Sequence, residues 1–498
     1  MTGDERLEEI KNLNGTTPLS DFQYTAYNPV NASATIATWQ QQSDSNAALA
    51  WTEGYDSADQ LTGAVEKNSS TQALVNNDGY QYDNSGNRTQ EQTVNYVTTG
   101  TFNSLNQPNS SGLSTSNATT TFSGSLNESS TLTVNGNPVT VDGNHNFSAT
   151  LTLPTGSNTV TMVAKDSAGN QRTNHYQLTV ANTTSIPTFD ADGNELTNGN
   201  GESYTWDARN ELVAIVYTAG SNSGNHTEFT YDALGHRIAI VERTGTTIGS
   251  GTVNSTKQLV WDGSMPVEER NVGNQVTKRF YSLGEQIGGT NYYYTKDHLG
   301  SVREMTNSSG TIVARYDYDP YGRVTPIGTI TVPSDLQYAG YYEHVTSGLN
   351  LTMFRAYDPN ASRWLSRDPL PDAERSQGPN LYEYVSNDPV DTTDPLGLAG
   401  AGGAHNPYVP PPPGSGGLCP CGEHLAFQLP IFSNTMSQMN GSNASLYAPS
   451  GGNFALNAYQ FFGASSAEFN SFMNPYYKGY QLASAIGAFL GSWRCVQN

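Results

Sequence analysis

The chain has 498 residues, a formal net charge of −22 and only 14% charged residues, with 23 Lys+Arg against 45 Asp+Glu. A single hydrophobic core rarely grows past about 250–300 residues, so the length implies more than one domain. The acidic balance argues against nucleic acid as a primary ligand, and 29 Tyr, 16 Phe and 6 Trp argue against a disordered polyelectrolyte.

The start, MTGDERLEEIKNLNG, is charged and lacks an apolar stretch, so it does not read as a signal peptide. Two readings follow: export by another route, or a natural start upstream of Met1. No run approaches the ~18 apolar residues of a membrane span.

Residues 1–108 and 182–291, and once more residues 292–398, carry a repeat in which an aromatic-Asp pair is followed by Gly or Asn. It reads Tyr55-Asp56, Tyr82-Asp83, Trp206-Asp207, Tyr231-Asp232 and Tyr318-Asp319, with weaker copies at Phe189-Asp190 and Trp261-Asp262. Alternation before each pair predicts a half-buried strand. The Asp and the Gly or Asn that follows predict an Asx-type turn with one left-handed position. A second strand then returns, so each unit is a β-hairpin. Stacked in a spiral, such hairpins cover one another's edges.

Residues 109–181 interrupt the repeat. Leu132-x-Val134, an Asn135-Gly136 turn, Val139-x-Val141, an Asp142-Gly143 turn and Phe147 lead to Leu151-x-Leu153 and Val160-x-Met162. Asn-Gly and Asp-Gly between alternating strands are strong hairpin signals. With Asp166-Ser-Ala168-Gly169-Asn170 at its end, the segment resembles small bacterial immunoglobulin-like modules, implying an inserted β-sandwich that serves as a spacer or adhesive module.

Residues 292–398 hold a dense series of motifs: Asp297–Ser301 (DHLGS), Tyr318–Gly322 (YDPYG), Ser347–Pro359 (SGLNLTMFRAYDP), Arg363–Pro369 (RWLSRDP), Asn380–Tyr384 (NLYEY) and Asp394–Leu398 (DPLGL). In this order they resemble the RHS repeat-associated core that closes the YD-repeat shell of Rhs proteins, a shell shared with insecticidal toxin-complex subunits and teneurin barrels. The chain departs from that pattern at Ser362-Arg363, where the family usually has Gly-Arg, and at Asn387-Asp388-Pro389 in place of Asn-Asn-Pro. It also reads Leu336-Gln-Tyr338-Ala-Gly340 for F-x-G-Q, and carries a short insertion at about Leu370–Ser376.

The resemblance implies an all-β fold: a YD-repeat hairpin spiral shell, with the inserted sandwich and a short, partly helical tail. In full-length relatives the shell encloses a variable C-terminal segment, often a toxin, and the core plugs it and cuts the chain after D-P-x-G-L. The scissile bond expected here is Leu398–Ala399. Hydrolysis by carboxylates needs two of them around one water, one acting as base and the other as acid. Asp368 matches the family's position for one acid, and Arg367 beside it could position or polarise. Asp394, Glu383 and Asp388 are the candidates for the second. Each of Asp368, Asp388 and Asp394 precedes Pro, so an ordinary turn role competes for each. The shell has fewer repeats here than closed family members, and a complete cavity is not expected.

Residues 399–498 change character. Their only charged residues are Glu423, Glu468, Lys478 and Arg494, summing to zero, and all three Cys lie here. AGAGGAH and VPPPPGSGG read as a hinge and a stiff spacer. Cys419, Cys421, His424 and Cys495 match zinc spacings weakly, and ordinary thiols are the preferred reading. The stretch after Pro475 reads as a short packed helix. Neither cofactor nor metal is called for. The expected partner is the protein's own C-terminal segment. A secretion or delivery apparatus, an immunity protein or a cell-surface partner would lie outside it, in a secreted or cell-surface setting. The competing readings are a non-enzymatic surface or adhesion protein, and a C-terminal fragment of a larger Rhs protein.

Overall fold

The computed structural model describes residues 6–398, apart from 29–34, 44–45, 94–95, 114–117 and 181, together with the strands Ala401–Gly402, His424–Phe427 and Trp493–Val496. It divides into two units, residues 1–407 and 408–498. In the second, His424–Phe427 pairs antiparallel with Trp493–Val496. Cys419, Cys421 and the helix expected after Pro475 lie outside the described residues.

The first unit is built from strands. One meander runs from Glu9–Asn14 to Tyr96–Thr99, each strand pairing with the next. A second, of fourteen strands, runs from Thr188–Phe189 to Val324–Pro326 in the same sequential order. Between them sits a two-layered insert. Ala118–Ser125 pairs with Asn146–Leu153, while Gly156–Asp166 pairs with both Ser130–Val134 and Gln171–Val180. Phe122, Leu132, Val134, Val160 and Leu178 fill its own core. A parallel pairing of Thr179–Val180 with Tyr96–Val97 fuses it to the first meander, and Val97 joins the insert core.

The repeat turn is one conformation used many times. At Asp232 the backbone N–H donates to His236 O at 3.0 Å, and Oδ1 accepts the N–H groups of Leu234 (2.8 Å) and His236 (3.0 Å). Gly235 sits at φ +85°. Asp56, Asp83, Asp190, Asp207 and Asp319 close the same loop, which fixes five residues through one side chain. The insert's Asp142 and Asp166 close it too, so Asp142-Gly143 opens a five-residue loop rather than the two-residue turn expected. Asn135-Gly136 is the tight turn expected, with both residues at positive φ.

The aromatic of each repeat has a second task. A register shift precedes Tyr55, Tyr82, Trp206, Tyr231 and Trp261 in their strand pairs. Tyr55 Oη donates to Ile36 O (3.0 Å), Tyr82 to Leu61 O (2.6 Å) and Tyr231 to Leu212 O (2.9 Å); Trp261 Nε1 donates to Arg237 O (2.8 Å). Ile36, Leu61, Leu212 and Arg237 are the residues that pair with Tyr27, Tyr55, Trp206 and Tyr231. Each repeat is therefore stitched to the one before it. The shift turns a carbonyl out of the ladder, and the next aromatic caps it.

The core segment 336–398 packs against both meanders. Its small sheet (Tyr342–His344, Leu349–Leu351, Ala356–Asp358, Arg363–Trp364) is wholly sequential. Tyr338, Tyr341, Tyr357, Trp364 and Tyr384 form one buried aromatic cluster, with Tyr357 and Tyr384 centroids 4.2 Å apart. The same cluster supports the candidate site.

Candidate active site

Thr352 and Arg355 close the turn between Leu349–Leu351 and Ala356–Asp358: Thr352 N donates to Arg355 O at 3.1 Å, and Arg355 N to Thr352 Oγ1 at 3.2 Å. Arg355 lies with its guanidinium carbon 4.3 Å from the Trp364 ring centre. Its Nη2 is 2.9 Å from Asp368 Oδ2 and 3.0 Å from Asp394 Oδ2, and all three side chains are at most 3% exposed. Nε and Nη1 donate to the carbonyls of Gly397 (2.5 Å) and Leu381 (3.3 Å). One buried guanidinium thus gathers two carboxylates and the backbone just before the expected scissile bond.

Asp368 is tied down by Leu370 N, which donates to Oδ1 at 2.8 Å, and by its own N–H to Leu381 O at 3.0 Å. Burial pushes its carboxyl up from the ordinary carboxylate range, while the Arg355 charge pulls the other way.

Asp394 opens a loop that is a modified repeat turn. Oδ1 accepts the N–H groups of Gly397 (2.9 Å) and Leu398 (2.8 Å), and Gly397 N also donates to Asp394 O at 3.2 Å. Gly397, at φ +74°, occupies the left-handed position; a Cβ there would lie 2.3 Å from Thr352 Oγ1. The difference lies in the closing bond. In the repeat turns the Asp N–H donates to the carbonyl of the loop's last residue. Here the Asp394 N–H donates instead to Tyr341 Oη at 3.0 Å. The Leu398 carbonyl takes Gln377 Nε2 at 2.9 Å, and that nitrogen also donates to Asp368 Oδ2 at 3.2 Å. Gln377 caps the one-turn helix Ala373–Ser376, its N–H donating to Ala373 O at 2.8 Å. A cleft of about 560 Å³, bordered by Trp206, Arg209, Phe354, Asp368 and Leu370, opens beside Asp368 and Arg355.

The other acids lie elsewhere. Glu383 accepts Asn387 Nδ2 at 2.6 Å and lies against Gly86 of the first meander, where burial pushes it to about 8. Asp388 is paired with Asp391, and burial raises both. Asp391 accepts Ile36 N (3.0 Å) and Tyr55 Oη (3.1 Å), holding the core to the first meander. Arg367 makes an exposed ion pair with Glu374 at 2.7 Å. The arrangement therefore brings Asp368, Asp394 and Leu398 together and leaves Glu383, Asp388 and Arg367 outside. Arg355 and Gln377 were not singled out from the sequence. Arg355 stands inside the motif Ser347–Pro359, as the Arg of R-x-Y-D-P. Ala399 lies outside the described residues. Among the described residues no cluster of His, Cys, Asp and Glu suits a metal ion, and no helix is long and apolar enough to cross a membrane.

Family models match two stretches of the chain. A family model described as teneurin YD-shell matches residues 282–390, and one described as glucodextranase, domain B, matches residues 104–182. The chain is 30% identical over 233 residues to the tRNA3(Ser)-specific nuclease WapA of Bacillus spizizenii, spanning 44% of this chain and 9% of that protein. It is 35% identical over 132 residues to the toxin subunit YenC1 of Yersinia entomophaga, spanning 25% of this chain and 13% of the subunit. A solved TcdB2-TccC3 structure aligns over 78% of this chain and 22% of that chain, at 18% identity and a TM-score of 0.35. The chain thus matches about a tenth of the length of these curated relatives. Its class is the all-β YD-repeat shell scaffold. Residues 282–390 match the YD-shell model, and the chain is similar in part to toxin subunits and toxin nucleases.

Proposed function

We propose that this protein scaffolds its variable C-terminal segment, residues 399–498, and releases it by a single intramolecular aspartyl cleavage after Leu398. The observation that carries this reading is the grouping at Arg355: Asp368 and Asp394 on one guanidinium nitrogen, with the second oxygen of Asp394 gripping the amides of Gly397 and Leu398. Water attacks the Leu398 carbonyl carbon. Asp368, raised by burial, takes the water proton and passes it to the nitrogen of Ala399 as the C–N bond breaks. The products are a Leu398 carboxylate and a new amino terminus. Asp394 and Arg355 hold the reacting segment in place. The toxin names of the relatives support a secreted or delivered protein with an effector-like tail, partnered first by its own shell.

The test is intact mass after expression under native conditions. Two fragments meeting at Leu398–Ala399, and a single full-length species for Asp368→Asn, support the reading. An uncut wild-type chain overturns it.

A further inference from the structure

Resting on that reading, we propose that Gln377 is a catalytic residue: its side-chain amide holds the Leu398 carbonyl oxygen and stabilises the oxyanion formed there, while its second N–H fixes Asp368.

Were the Asp394 turn closed like its relatives in the repeats, the Leu398 carbonyl would be held by a main-chain N–H of its own loop. Tyr341 takes that N–H, and the carbonyl oxygen is presented to a side chain instead. Gln377 Nε2 meets it at 2.9 Å and reaches Asp368 Oδ2 at 3.2 Å. A primary amide has two N–H bonds and both are used, one on the reacting carbonyl and one on the carboxylate that handles the proton. A neutral donor suits this place, because the guanidinium of Arg355 already supplies the positive charge between the two carboxylates. The donor is also held from behind. Leu370 N bonds to Asp368 Oδ1, Ala373 N to Leu370 O and Gln377 N to Ala373 O, so residues 368–377 run as one bonded path from the carboxylate to the amide. The one-turn helix Ala373–Ser376 therefore delivers a donor, at its C-cap, to the expected scissile carbonyl.

In the reaction, water adds to the Leu398 carbon and the carbonyl π pair moves to oxygen, where the Gln377 N–H bond shortens. Collapse returns the pair, the bond to the nitrogen of Ala399 breaks, and the water proton leaves on that nitrogen. Donors aimed at a developing oxyanion are worth about 10²–10³ in rate.

The experiment follows cleavage of the full chain made by pulsed cell-free synthesis, with fragments quantified by mass. Gln377→Leu should slow cleavage by about 10²-fold or more. Gln377→Glu separates donor from scaffold: ionised, its carboxylate accepts only, and protonated it donates. Its rate relative to wild type should rise as pH falls. Wild-type speed in Gln377→Leu, alongside an uncut Asp368→Asn, overturns the role of Gln377 and leaves the protease reading standing. A slow Gln377→Glu whose relative rate does not change with pH also overturns it, and this variant decides should Gln377→Leu fail to fold. An uncut wild type removes both proposals together.

Discussion

The hydroxyl of Tyr341 both accepts the N–H of Asp394 and donates to the carbonyl of the same residue, each at 3.0 Å. With its proton spent on that carbonyl, Tyr341 accepts from Tyr384 Oη, 3.0 Å away. One phenol therefore holds the Asp394 peptide on both sides and keeps the loop from closing on itself. Tyr341→Phe keeps the ring and removes this grip. The Asp394 N–H and carbonyl each lose one hydrogen bond, the carbonyl keeping that from Gly397 N, at a cost of about 1 kcal/mol in urea denaturation. The freed Asp394 N–H can then close on Leu398 O as in the repeats, so cleavage should slow although both carboxylates remain. A variant that cuts at wild-type rate would show that the exchanged hydrogen bond does not matter.

The stitch between repeats predicts a graded effect along the shell. Tyr231→Phe leaves Leu212 O without the hydroxyl that caps it at 2.9 Å, a loss of about 1 kcal/mol. Asp232→Ala strips the loop of an acceptor for two N–H groups and should cost as much or more. Because the two changes act on one hairpin, their sum should differ from the double variant by more than a few tenths of a kcal/mol. Additive values from denaturant titration would mean that turn and stitch act independently.

What could be read in advance follows from how locally each feature is bonded. The repeat turn was legible because its bonds lie within five residues and demand Asp first and a left-handed residue fourth. The fold followed from repeating it. The site was legible only in part. Asp368 and Asp394 stand in motifs, yet Glu383 and Asp388 stand in motifs as well. The choice among them is made by the chain turn at Val385, Ser386 and Asn387, which are left-handed at φ +46°, +56° and +59°. Asn387 anchors that turn on Gly86 O and Gln60, which leaves Glu383 against the first meander. No periodicity or composition signals such a turn in residues with side chains. Gln377 was hidden for a related reason: a helix of four residues is too short to show a period.

A departure from the family pattern also gains a physical reading. Ser362, where the family resemblance leads one to expect Gly, is buried at φ +57°. A side chain in that region costs about 1–2 kcal/mol, partly offset because Gly loses more chain entropy on folding. Ser362→Gly should therefore stabilise the core by a few tenths to about 1 kcal/mol, seen as a higher denaturation midpoint. A lower midpoint would mean that the Oγ contact with Pro359 O, at 3.4 Å, outweighs the backbone cost.

Stability should also fall as the medium becomes alkaline. Burial pushes Glu53, Glu66, Glu195, Glu285 and Glu383 each to about 8, far above the ~4.3 of a glutamate in the unfolded chain. Between those values the folded protein holds more protons than the unfolded one, so the slope of stability with pH is negative. Their contribution is fully present below ~4.3 and lost as pH rises through about 8. The opposite group, including Glu242 held down by His344 and Glu228 by Gly249 N–H, His226 and Arg243, loses its contribution at acid pH. The melting temperature should accordingly peak on the mildly acidic side and drop between pH 6 and 8.5. Relief of repulsion within a chain of net charge −22 acts in the same direction. Glu53→Gln keeps an acceptor for Trp39 Nε1, now at 2.9 Å from the carboxylate, and removes one titration. It should flatten the drop between pH 6 and 8.5, and a drop as steep as wild type's would exclude Glu53 from the set.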